Sequence, residues 1–286
     1  MPELPEVETV RRQIAPRVQG VRLEELLVLD PRWCEPVAPE QVADAVRGRV
    51  IEAVGRRGKY LDIRLEDEVH LVLHLRMTGA LLYDPAEPLR FARVRFELEG
   101  GHTLVFDDQR RFGTGDLLLG SAARDAYLDA RLGLEPLDPG FSQAHLRAIA
   151  RGRRAPIKAF LLDQRRVAGV GNIYADEALF RARIHPLRPA GRLTGRQVDA
   201  LHEGVREALA AGIDARGATI DDFRDADGVS GAFQDRFLVH RREGEPCPRC
   251  GTTIIKLRAA GRGTYVCERC QPRPRIRRRP VQRAAR

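Results

Sequence analysis

Residues 59–67 read KYLDIRLED, residues 70–77 read HLVLHLRM, and residues 93–108 read RVRFELEGGHTLVFDD. In the first segment Leu61, Ile63 and Leu65 fall on one face, with polar residues between them. That period of two is the signature of a half-buried strand. Leu71, Leu73 and Leu75 repeat it, and so do Val94, Phe96 and Leu98. Gly100-Gly101 then interrupts the third run, and the chain returns through Leu104 to Phe106. Two glycines tolerate positive φ, so a tight hairpin is predicted there. Strands therefore dominate from about residue 20 to 120.

The flanks read differently. PEVETVRRQI (5–14) carries Val7, Val10 and Ile14 at helical spacing, with a proline suited to the first turn and acids near the N-terminal end. This predicts a leading helix packed by one stripe, with residues 1–3 projecting from a fixed platform. Beyond Leu132, IKAFLLDQ (157–164), NIYADEALFRA (172–182) and LTGRQVDALHEGVREALAAG (193–212) have helical character. The last opens with Thr194 and Gln197 in capping-box spacing. LGLEPLDPG (132–140) is rich in turn formers and marks a boundary. The expected class is α+β: a β-sandwich with a leading helix, then a helical domain, then a cysteine-bearing segment.

Composition narrows the partners only weakly. The chain has 286 residues and a formal charge of +9. Removing the seven arginines of residues 271–286 leaves +2 for the rest. That tail reads as a basic, disordered extension able to contact a polyanion. No apolar run has transmembrane length, and Glu3, Glu6 and Glu8 stand where a signal peptide needs basic and apolar residues. A cytoplasmic location, with no membrane contact, is the expectation.

Four of the five cysteines carry more information. Cys247, Cys250, Cys267 and Cys270 form C-x2-C-x16-C-x2-C. Four thiolates at this spacing can surround one structural zinc ion, with a β-hairpin between the two turns. Cys34 stands alone and reads as a small buried residue.

Other segments carry chemistry only in combination. Loss of Met1 would free the secondary amine of Pro2, whose pKa would lie near roughly 8, as for an ordinary α-amino group. Such an amine can attack an electrophilic sugar carbon, with Glu3 moving the proton. Arg262, between two glycines, can approach a phosphate closely. Arg110 and Phe112 in RRFG (110–113) pair a base-edge donor with an apolar wedge. Met77, Lys59, Lys158 and Asn172 each have an ordinary structural explanation when taken singly.

Together these segments resemble the bacterial formamidopyrimidine-DNA glycosylases, which excise oxidised purines. The resemblance rests on MPELPEVETV, GKYL, HLRMTG, QRRFG, IKAFLLDQ, VAGVGNIYADEALF, GEPCPRCGT and GRGTYVCERCQ, in the family's order, from residue 1 to about 271. It implies a catalytic β-sandwich domain over 1–135, a helix–two-turn–helix domain over 136–225, a lesion loop and zinc finger over 226–271, and the tail over 272–286. It implies a monomer that acts on double-stranded DNA containing damaged bases and is nucleoid-associated through that DNA. By the same resemblance Pro2 is the nucleophile, Glu3 the proton donor, Lys59 the aid to β-elimination and Arg262 the aid to δ-elimination. Met77, Arg110 and Phe112 would fill the gap left by a flipped nucleotide, and Arg153, Lys158 and Asn172 would grip the backbone. The chain departs from the family pattern at Phe91, where a histidine is frequent, and at Ala232, where an aromatic is frequent. Two alternatives stay open: the related endonuclease VIII-like enzymes acting on oxidised pyrimidines, and a catalytically silent DNA-binding paralogue.

Overall fold

The structure is a computed structural model that describes residues 1–86 and 89–274. The expected disorder of the basic tail falls almost wholly on residues outside this range. The chain opens with α1 (Leu4–Val18), whose Val7, Val10, Ile14 and Val18 are fully buried. Burying one such side chain stabilises by about 1.5–3 kcal/mol, so this stripe fixes the helix to the sheet below it.

Strand β1 (Arg22–Val28), helix α2 (Pro39–Val46), and strands β2 (Arg49–Arg57), β3 (Tyr60–Leu65), β4 (Val69–His74), β5 (Ala80–Tyr83), β6 (Ala92–Leu98), β7 (His102–Asp107) and β8 (Thr114–Leu119) follow. They form one antiparallel array ordered β5-β7-β6-β1-β2-β3-β4-β8. Only Arg22–Val50 and Leu23–Arg49 pair across β1 and β2. This short ladder is the seam between two four-stranded layers, and both layers feed a single core. Trp33 spans them, edge-on to Phe96 and Phe106. A Cβ at Gly115 of β8 would collide with its ring. The predicted hairpin joins β6 to β7, with Gly100 and Gly101 both at positive φ.

Helices α3 (Ser121–Asp129), α4 (Gln143–Ala150), α5 (Ile157–Leu162), α6 (Asn172–Arg181) and α7 (Gly195–Asp214) complete the helical part. Thr194 and Gln197 make the expected capping box on α7. Buried residues run almost unbroken along α6, from Ile173 to Phe180, so it is the axis of the second core. The last hairpin is β9 (Ile255–Ala259) with β10 (Arg262–Val266). The two large cores interlock. Leu4 of α1 packs in the helical core, whereas Phe223 and Ala226, distant in sequence, pack in the sheet core.

Candidate active site

The N-terminus meets the start of α6 in the space between the two cores. The Glu3 carboxylate accepts from Gly171 N at 2.7 Å, Ile173 N at 3.0 Å and Tyr174 N at 3.4 Å. It thus satisfies backbone donors that the first turn of α6 leaves free, at the positive end of the helix. Two glycines make the approach possible. A Cβ on Gly171 would lie 2.3 Å from the Glu3 side chain, and Gly169 adopts φ +83° against Leu4.

Glu6 supports Glu3 from behind. Glu3 N donates to Glu6 Oε2 at 2.8 Å, and Tyr174 Oη and Ala218 N each donate to Oε1 at 2.7 Å. Burial, and then the charge of Glu3, push the Glu6 carboxyl up to about 7, against the pull of those hydrogen bonds. Lys59 sits beside Gly58 in the two-residue turn between β2 and β3, one position before the strand it was expected to begin. It is only 4% exposed. Burial lowers its pKa, while Glu3 and Glu6 oppose that shift. A buried amine of this kind sheds its proton more readily than a surface lysine.

Glu3 and Lys59 line a cleft of about 650 Å³. Pro2, Glu3, Lys59, Met77, Arg110, Asn172 and Arg262 all border it, so seven of the sequence-derived residues converge. Pro2 follows Met1, so its nitrogen becomes a free secondary amine only when Met1 is removed. The cleft also holds Arg76, Arg241 and Lys256, against the acids Glu3, Asp221 and Asp222. Its rim is therefore rich in cations.

This geometry can be set beside known proteins. The chain matches the formamidopyrimidine-DNA glycosylase N-terminal domain over residues 1–115 and the H2TH domain of the same glycosylase over 132–224. The chain belongs to the formamidopyrimidine-DNA glycosylase family. Residues 244–273 match a zinc finger found in the same glycosylases and in isoleucyl-tRNA synthetases. The formamidopyrimidine-DNA glycosylase of Chloroflexus aurantiacus is 47% identical over 274 residues, covering 95% of this chain and 98% of its own. That of Symbiobacterium thermophilum is 48% identical over 277 residues, covering 96% and 90%. The crystal structure of the MutM (Fpg) protein of Thermus thermophilus superposes with a TM-score of 0.85 at 44% identity, covering 94% of this chain and 98% of that one. A Lactococcus lactis Fpg variant in complex with Fapy-dG-containing DNA gives 0.89 at 34%, covering 95% and 100%.

As in the family zinc finger, four sulfurs gather at one point. Cys250 Sγ lies 3.5 Å from Cys267 Sγ, and Cys247 Sγ 3.8 Å from Cys270 Sγ. All four lie within 4.8 Å of one another. Tetrahedral Zn–S bonds of about 2.3 Å set their sulfurs about 3.8 Å apart, so the cluster is suited to one structural zinc. The lone Cys34 is buried, as its sequence context predicted.

The remaining glycosylase-family positions separate. Phe112 is 51% exposed, with the Arg110 guanidinium 4.9 Å from its ring centre. Arg153 borders a different pocket, beside His185 and Arg273. Lys158 does not present its charge to the cleft. It is fully buried, and Nζ donates to Asp176 Oδ1 and Thr264 Oγ1 at 2.7 Å and to Gly263 O at 3.2 Å. It thereby holds the hairpin that carries Arg262. Asn172 shares this task, donating from Nδ2 to Gly263 O at 3.2 Å.

Asp108 and His74 are among the site residues that escaped the sequence reading. Asp108 braces the 109–113 loop: its carboxylate accepts from Thr78 Oγ1, from Arg110 N at 3.1 Å, from Phe112 N at 2.8 Å and from Gly113 N at 2.7 Å. Nothing in the sequence separates it from Asp107, its neighbour at the strand end. His74 borders the cleft and accepts from Arg76 N at Nδ1. Burial, with the charges of Arg76 and Lys59, holds its pKa down to about 3 and the ring neutral. Its place in HLRM was the available signal.

Proposed function

We propose that this chain is a base-excision DNA glycosylase for oxidised purines, such as 8-oxoguanine and formamidopyrimidines, and that it also cleaves the strand as an abasic-site lyase. The observation that carries this reading is the seat of Pro2 and Glu3, held on a buried helix at the floor of a cation-rimmed cleft.

The target carbon of a duplex is hidden in the stack, so the damaged nucleotide must be turned out into the cleft. Met77, Arg110 and the exposed Phe112 are the groups to occupy the space it leaves, with Arg110 offering donors to the orphaned base. Arg262, Lys256 and Arg241 would meet the double-stranded DNA through its phosphates.

With Met1 removed, the Pro2 nitrogen attacks C1′ as the bond to the base breaks, Glu3 takes the amine proton, and the base leaves as an anion that water protonates. Opening of the C1′–O4′ bond, with that proton passed from Glu3 to O4′, gives an iminium. The iminium acidifies the C2′ hydrogens. Lys59, whose pKa burial lowers, assists removal of one of them, and the 3′ phosphate leaves. Arg262 assists departure of the 5′ phosphate in a second elimination. The zinc, when bound, supplies folding energy to the finger and takes no part in the chemistry.

The test is excision from paired duplexes that differ only in the lesion, 8-oxoguanine opposite cytosine or thymine glycol opposite adenine. Faster release of 8-oxoguanine is expected. Preference for thymine glycol would assign the chain to the pyrimidine-acting relatives.

A further inference from the structure

Beneath one wall of the cleft lies a charge cluster to which the reaction above assigns no role. Asp176, on α6, is 1% exposed. Its Oδ1 accepts from Lys158, and its Oδ2 accepts from His240 Nδ1 at 2.9 Å and from Tyr265 N at 3.4 Å. The His240 ring is wedged edge-on between Phe237 and Tyr265, with centres 5.3 and 5.1 Å away. Its backbone N donates to Glu177 Oε1 at 3.1 Å. The ring is thus fixed on three sides, yet it borders the cleft. Within the described residues its Nε2 makes no hydrogen bond.

The chemistry of this arrangement is restrictive. An ionised Asp176 only accepts, so His240 Nδ1 must carry a hydrogen. In the neutral ring Nε2 is then an acceptor and repels a phosphate oxygen. Only the imidazolium offers an Nε2–H donor, and Asp176 is placed to stabilise that cation. We propose that His240 is a proton-linked ligand for one DNA backbone phosphate, with Asp176 as the residue that positions and charges its ring. The proposal rests on the DNA-binding reading above.

The surrounding charges make the binding proton-linked. Asp176 and Glu177 favour the cation from below. Lys158 shares Asp176, and Arg241, Lys256 and Arg262 border the same cleft, so they oppose it. Arg241 is itself paired with Asp221 at 3.3 Å. An arriving phosphate reverses that balance, and the ring takes up a proton as DNA binds.

The experiment is equilibrium binding to a duplex bearing a tetrahydrofuran abasic analogue, which has no base to release. It is run with zinc-loaded full chain, at pH values on either side of the ordinary imidazole pKa of about 6.5, each over a salt series. For the wild type, affinity should fall by up to about tenfold per pH unit across this window, the limit for one linked proton. The slope of log K against log salt should be steeper by about 0.9 at the lower pH, one extra phosphate neutralised. His240→Gln keeps a neutral donor and should bind with both differences abolished. Asp176→Asn should move the pH midpoint down. If His240→Gln retains the wild-type pH and salt dependence, or if both variants lose affinity equally at every pH, the proposal is wrong and the cluster is structural. A wild type that binds no duplex at either pH rejects the DNA-binding reading along with it.

Discussion

Glu6 shows what a single side chain contributes here. It joins the N-terminus, α6 and the loop that begins at Ala218, and it does so as a buried carboxyl raised to about 7. A raised carboxyl stabilises the fold fully below its unfolded pKa, and that stability is lost as pH rises through the folded value. The window is therefore from about pH 4.5 to about 7. The full shift is worth about 3 kcal/mol. Glu6→Gln removes the titration, so its stability should change less with pH across this window than the wild type's. Denaturant melts at closely spaced pH values will measure this, and parallel curves would refute it. Residues differ in how legible they were. Pro2 and Glu3 stood out because helix signals and chemistry coincided in ten residues. Asp108 did not, because its role exists only once the 109–113 loop has folded around it.

At the scale of elements, α1 is the hinge of the account. Its apolar stripe was readable from spacing. Its electrostatic anchor was not. Arg56, at the end of β2, donates to Glu8 on α1 at 3.0 Å and to Glu135 at 2.6 and 2.7 Å. Burial alone would raise the Glu8 carboxyl, but hydrogen bonds from Arg11, Arg12 and Arg56 bring it down to about 2. Removing Arg56 leaves the little-exposed Glu135 carboxylate without its main partner and Glu8 with Arg11 and Arg12 alone. Arg56→Ala should cost ~3 kcal/mol, and it should lower activity further by loosening the platform under Glu3. A melting temperature equal to the wild type's would contradict this. Sequence period also misjudged β4. Alternation marked one buried face, yet all six of its residues are buried. A second small cluster of Tyr60, Val72, Leu128, Leu132 and Ala168 covers the other side. Helix α3 supplies Leu128 of that cover, and α2, α3 and α4 were too short and too polar to read from periodicity.

Over the whole molecule, the cleft exists because elements far apart in sequence close around it. Leu4 enters the helical core, Phe223 enters the sheet core, and Lys158 and Asn172 moor the zinc-finger hairpin to α5 and α6. The α+β class and the finger were legible, since strand period, helix period and cysteine spacing are local signals. The interlocking was not, since it depends on contacts between residues more than a hundred positions apart. One consequence concerns the metal. The finger shares a small core with α6, in which Cys247 and Cys267 pack with Val239, Ile254 and Phe180. Purified protein should hold one zinc per chain. Chelating it should release Arg262 and weaken binding to a lesion duplex on the order of tenfold or more, while most far-UV ellipticity persists. Unchanged binding after zinc removal would show that the finger does not hold Arg262 in place.

The central claim is that the N-terminal amine is the nucleophile. The most direct test is to incubate the chain with duplex DNA carrying 8-oxoguanine opposite cytosine, add borohydride, and map the crosslinked peptide. The account predicts a reduced covalent adduct on Pro2, with Met1 absent. An adduct on a lysine such as Lys59 would contradict it. So would base release with no trapped adduct from a chain whose Pro2 is free.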